Sequence, residues 1–193
     1  MAWLVAGLGN PGDRYAQTRH NAGRMVVDEL ARASGVRLKK ARFLPAEVAE
    51  IRIGDERVLL VTATRYMNEA GPAYASVAKK HDVSPGRVIA VHDELEVPKG
   101  ELRVKFGGGS GGHNGLRSLT QALRTPDYLR VRVGIGRPPG RQDPADFVLA
   151  PVPATAREDL AATVDLAADA VRSLIGEGLV PTQDRYNRRA PRA

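Results

Sequence analysis

The residues of this chain that could do chemistry stand just beyond its apolar runs. Asn10 follows the run WLVAG, Tyr66, Met67 and Asn68 come soon after RVLLVT, and Asp93 ends RVIAVHD. His113 and Asn114 follow ELRVKF across a glycine-rich stretch, and His20 marks the entry of the first helical pattern. Where strands alternate with helices, ligands bind beyond the carboxyl ends of the strands, so these positions should converge. They deliver amides, imidazoles and a carboxylate.

Two glycine-rich motifs in these places imitate other sites. Gly7-Leu8-Gly9-Asn10-Pro11-Gly12 fits G-x-G-x-x-G, whose third glycine should open a helix that cradles a pyrophosphate. Here the next helical pattern begins only near Asn21, and Pro11 removes a backbone N–H from the turn. The basic stretch SGVRLKKARF occupies the place of the ribose-binding acid. No dinucleotide or other cofactor is expected. Gly108-Gly109-Ser110-Gly111-Gly112 fits G-x-S-x-G, which would make Ser110 a nucleophile. That motif needs its acid and histidine downstream, yet the last histidine is His113. A triad in the order His20, Asp93, Ser110 stays open in principle, against glycines that simply let backbone approach a ligand. Histidines at 20, 81, 92 and 113 lack the H-x-x-x-H or H-x-H spacing of zinc sites, and no metal is expected. The absence of cysteine removes disulfides and thiolate chemistry and suits a reducing cytosol.

The elements that must position these side chains follow from periodicity. Strand-like runs cover 3–7, 46–53, 57–62, 87–93, 101–106 and 128–136, with helical patterns at 21–34, 68–81, 113–124 and 154–178. Alternation of the two predicts an α/β fold: a single-domain mixed β-sheet sandwiched by α-helices. The runs 46–53 and 57–62 should pair antiparallel across Gly54-Asp55. The chain has 193 residues, enough for one well-buried core and short for two. The domain is expected over 1–180, with 181–193 a basic, flexible tail. No apolar run approaches the roughly 18 residues of a membrane span, and no signal peptide opens the chain, so a cytoplasmic protein is expected. A net charge of +7 points to a polyanionic partner. Lys105, Arg117, Arg130 and Arg132 lie around the glycine run, which precedes a helix N-terminus suited to anions. The competing reading is a solvated basic edge.

Taken together, GLGNPGDRYAQTRHNAG, RYMNEAG, VHDEL, GGGSGGHNGLRS and RVRVGIGRPPGR resemble bacterial peptidyl-tRNA hydrolases in order and spacing. The resemblance runs from residue 4 to about 180 and implies a hydrolase acting on the ester between peptide and tRNA, as a cytoplasmic monomer. It implies His20 as the base that activates water, with Asp93 as its partner. Asn10, Asn68 and Asn114 would contact peptide and ester, Tyr15 and Tyr66 would line the cleft, and Met67 and His113 would form further walls. Lys105 and Arg132 match the basic pair that would hold the tRNA 5′-phosphate, with Arg130 as the alternative second member. The chain departs from the usual family pattern at Ala63-Thr64-Arg65, Ala70 and Glu94.

Overall fold

The computed structural model describes residues 1–188. Seven strands form one sheet: β1 (Trp3–Gly7), β2 (Lys39–Lys40), β3 (Ala46–Ile53), β4 (Glu56–Ala63), β5 (Val88–Glu94), β6 (Leu102–Phe106) and β7 (Leu129–Gly134). Their order is β2-β3-β4-β1-β5-β7-β6. The inner strands β4, β1, β5 and β7 run parallel, while β3 and β6 pair antiparallel at either side. The sheet is mixed, as the sequence predicts.

Alternation sorts its side chains onto two apolar faces. Val5, Leu60, Val91 and Val131 face α1 (Ala22–Ala33) and α5 (Ala154–Glu177). Leu4, Ala6, Val61 and Ala90 face α2 (Gly71–Lys80) and α3 (Asn114–Leu123). Each fully buried Val or Leu contributes about 1.5–3 kcal/mol, so the pattern fixes register firmly. The two faces make the sandwich.

Two glycines set how closely α1 approaches the sheet. A Cβ on Gly23 would lie 2.0 Å from the Val91 carbonyl oxygen, and one on Gly7 would lie 2.7 Å from that of Gly23. The first glycine of the dinucleotide-like motif therefore serves helix–strand contact.

Three elements were not read from the sequence. The short edge strand β2 is two lysines, a device that discourages edge-to-edge pairing. The others are α4 (Pro144–Leu149) and α6 (Leu179–Tyr186). The last corrects the expected tail: residues 181–186 are helical, and Thr182 is buried. Asn187 then caps the free edge of β6, its Oδ1 accepting from Val104 N at 2.7 Å and its Nδ2 donating to Val104 O at 2.9 Å. One side-chain amide thus satisfies the two groups a further strand would have paired. The rest of the expected tail, 189–193, lies outside the described residues. No helix among those described is long and apolar enough to cross a membrane.

Candidate active site

β1 and β5 are neighbours; the last residues of β5, the segment beyond β1 and the loop before α3 supply the centre of the site. Asp93 lies next to last in β5 and is buried at 4% exposure. His20 lies in a one-turn 3-10 helix, Arg19–Asn21, that leads into α1. His20 Nδ1 lies 2.9 Å from Asp93 Oδ2, and His113 Nε2 lies 2.8 Å from Asp93 Oδ1. Both carboxylate oxygens are occupied, each by an imidazole.

The tautomer of His113 follows from its other nitrogen. Nδ1 accepts the backbone N–H groups of Gly115 and Leu116 at 3.1 and 3.3 Å, which makes His113 the N-cap of α3. A neutral ring that accepts at Nδ1 carries its proton on Nε2, so His113 donates to Asp93. The carboxylate in turn holds the proton of His20 on Nδ1 and leaves Nε2 as a free lone pair. Burial alone would raise the Asp93 carboxyl, but the two imidazoles outweigh it and hold the group well below the usual carboxylate range. Burial of the His20 ring disfavours its charge, yet the charge and hydrogen bond of Asp93 prevail and raise its pKa above the ordinary value.

His20, Asp93 and His113 also come within 4.8 Å of one another as possible metal ligands. Histidine spacing could not reveal this group, because three separate elements assemble it. Its protons argue for hydrogen bonding over metal binding. With Nδ1 of His113 taken by α3, Nε2 must keep its proton and offers no lone pair. Behind it, His92 is buried, its Nδ1 donates to the Asp93 carbonyl at 2.8 Å, and burial pushes its pKa down to about 3. His92 is a neutral wall against which His113 packs edge-on at 5.1 Å.

Asn10 is fixed on three sides. Its Oδ1 accepts from Met67 N at 2.7 Å, its N–H donates to Asn21 Oδ1 at 2.8 Å, and its carbonyl accepts from Asn21 Nδ2 at 2.9 Å. The amide orientation follows, leaving the NH₂ group as the one polar group of Asn10 without an assignment in this network. Met67 is buried, with Sδ only 2.5 Å from where a Cβ on Gly115 would stand. The side chain of Met67 therefore lies directly under the start of α3.

A cleft of about 220 Å³ opens over His20, Asp93, His113 and Asn114. Its far wall is α4, through Pro144, Ala145, Val148 and Leu149. The Arg19 guanidinium lies 4.1 Å over the Phe147 ring and ties this wall to the His20 turn. The signal for α4 is Asp143 before Pro144, an N-cap before a first-turn proline. Asn68 lies elsewhere, in a separate groove with Arg65, Ser118 and Gln121. Tyr15 and Tyr66 meet edge-to-face at 6.1 Å, with Tyr66 57% exposed. Neither Asn68 nor Asn114 caps a helix through its side chain. Nδ1 of His20 and both ring nitrogens of His113 are bonded to groups other than the Ser110 hydroxyl.

The basic residues part company by depth. Arg130 is fully buried; its guanidinium donates to the carbonyls of Gly109 at 2.6 Å, Gly108 at 2.7 Å and Pro126 at 3.2 Å. It also lies 4.5 Å over the Tyr128 ring. That corrects its place in the expected phosphate-facing patch: Arg130 holds the glycine loop and has no surface to offer an anion. Arg132 is part-exposed and bonds Glu94 Oε1 at 3.0 Å. Lys105 lies across the strand pair from Arg130, with Nζ 2.8 Å from where a Cβ on Gly108 would stand. Burial, together with Arg132 and Arg130, pulls the Lys105 ammonium below its ordinary pKa.

Comparison with known proteins agrees with this arrangement. A sequence profile of the family described as peptidyl-tRNA hydrolase matches residues 4–193. The peptidyl-tRNA hydrolase of Frankia alni is 54% identical over 96% of this chain and 93% of its own length. That of Mycobacterium avium is 49% identical over 95% of this chain and 96% of its own. The crystal structure of peptidyl-tRNA hydrolase from Acinetobacter baumannii superposes with a TM-score of 0.89 at 34% identity, covering 99% of this chain and 97% of that one. This chain belongs to the peptidyl-tRNA hydrolase family.

Proposed function

We propose that this chain hydrolyses the ester that joins a peptide to the terminal ribose of tRNA. Its substrates would be peptidyl-tRNAs released prematurely from ribosomes, and its product recycled tRNA. The observation that carries the reading is the hydrogen bond of His20 Nδ1 to Asp93, which commits one ring nitrogen and frees the other beside a cleft. Water at neutral pH is a weak nucleophile, and an imidazole whose pKa lies near neutrality is suited to take its proton. His20 Nε2 accepts that proton as the water oxygen attacks the ester carbonyl carbon. The tetrahedral oxyanion is stabilised by the Asn10 NH₂ group, a donor already fixed in place before reaction. The carbon–oxygen bond to ribose then breaks, and His20 returns the proton to the ribose oxygen. Asp93 stabilises the imidazolium in between, and His113 steadies Asp93.

Asn114 lines the path of the peptide and ester, and Met67 backs that wall from beneath α3 while its N–H holds Asn10. Asn68, Tyr15 and Tyr66 provide further contacts to the substrate outside that cleft. Lys105 and Arg132 grip the tRNA phosphate, positioning without chemistry. No metal, cofactor or covalent intermediate is needed, and the enzyme works as a cytoplasmic monomer. Purified protein should release the N-blocked amino acid from N-blocked aminoacyl-tRNA, and Ser110→Ala should do so at nearly the same rate. Trapping of an acyl group on Ser110 would replace this mechanism with a serine hydrolase.

A further inference from the structure

We propose that Asn21 is a positioning residue for this reaction: one buried amide holds the oxyanion donor Asn10 at a fixed place relative to the base His20. The proposal rests on the roles just given to His20 and Asn10. Asn21 is 1% exposed and follows His20 in the same helical turn. Its side chain makes both bonds to the Asn10 backbone, accepting the N–H at 2.8 Å and donating to the carbonyl at 2.9 Å. Asn10 is thus paired on its backbone as if by a neighbouring strand, although no strand runs there. Its own Oδ1 is held by Met67 N, so backbone and side chain are both immobilised.

The second glycine of GLGNPG belongs to the same device. A Cβ on Gly9 would lie 3.0 Å from Asn21 Oδ1 and 3.0 Å from Arg24 Cβ. A side chain there would press on the amide at the moment it must meet Asn10. Gly9 leaves the room. Gly7 and Gly23 bring α1 against β1 and β5, and Asn21 converts that approach into a set distance between base and donor.

The bonds come from a side chain on one segment to the backbone of another, so they can be cut without touching either reacting group. The test is a cycle of Asn10→Ala, Asn21→Ala and the double variant, with kcat and KM measured on N-blocked aminoacyl-tRNA. Asn21→Ala should lower kcat by about 10–10² with KM little changed, the cost of misplacing a group by an ångström or less. With Asn10 already alanine, Asn21→Ala should cost little more, because the group it positioned is gone. Asn21→Asp, which keeps the shape and the acceptor but loses the amide donor when ionised, serves as the second variant should the alanine fail to fold. Its kcat relative to wild type should recover as pH falls and the buried carboxyl regains a proton to donate. Equal losses in both backgrounds, or kcat per folded molecule unchanged in Asn21→Ala and Asn21→Asp while Asn10→Ala loses it, would overturn the proposal. If Asn10→Ala alone keeps full kcat, the role of Asn10 fails instead, and the two failures are read separately.

Discussion

The end of β5 and the edge formed by β6 and β7 lie side by side, yet they spend their polar groups in opposite ways. At the β5 end, Asp93 is bonded to His20 and His113, and Asn10 to Asn21 and Met67, all at 2.7–2.9 Å, so the groups of each set are held in place. At the β6–β7 edge, Lys105 and Arg132 stay part-exposed, and Glu94 is a salt-bridge partner of Arg132. Reaction needs a proton at one atom; adhesion needs only charge at a surface. Arg130 belongs to the first class though its sequence places it in the second.

Variants should separate the two regions. His20→Ala should lower kcat by ~10²–10⁴, the usual worth of general-base catalysis, while leaving substrate binding intact. Unchanged turnover per bound substrate would move the base elsewhere. Asp93→Asn comes next: an amide can favour the wrong imidazole tautomer, and the loss should approach that of His20→Ala without unfolding the protein. Full activity would remove Asp93 from the mechanism.

Arg130→Ala should act through the fold. It forfeits several charge-assisted bonds to carbonyls, and even one is worth about 1.5–3 kcal/mol, or roughly 3–12 °C in melting temperature for a chain of this size. It should slow hydrolysis of full-length peptidyl-tRNA and of a blocked amino acid esterified to a single nucleotide alike. Lys105→Ala and Arg132→Ala should raise KM for the full substrate only. They should also flatten its salt dependence by roughly one ion each, and leave the minimal substrate untouched. Equal losses on both substrates would assign this pair to the reaction centre or to the fold. An unaltered melting temperature in Arg130→Ala would contradict its internal role.

The same contrast explains what was legible in the sequence. Positions after apolar runs singled out Asp93, Asn10 and His113, and the entry of the first helical pattern His20, because strand ends are where a sheet gathers its polar groups. Arg130 and Arg132 could not be told apart, since a period of two places both on one face and says nothing of depth. Asn21 reads as an ordinary amide at a helix start; its partner eleven residues away in sequence appears only when α1 packs on β1. His113 as N-cap was hidden because capping is expected from Ser, Thr, Asp or Asn. The helices α4 and α6 are short, and Pro144 and Pro181 at their starts resemble loop residues. The large sandwich followed from periodicity; the small helices follow from packing.

The central claim is that Asp93 holds His20 as the base, and the pH dependence of kcat/KM on the minimal substrate tests it most directly. Only neutral His20 can accept the proton, so activity should climb as pH rises through its folded pKa. Because Asp93 raises that pKa, the acid limb of wild type should lie above the ordinary imidazole value of about 6.5. Asp93→Asn removes both raising influences and leaves burial, which lowers it, so the limb should move to lower pH while the plateau falls. A limb that stays in place in Asp93→Asn, or a wild-type profile that is flat from about pH 5 to 8 where an imidazole titrates, would contradict the account.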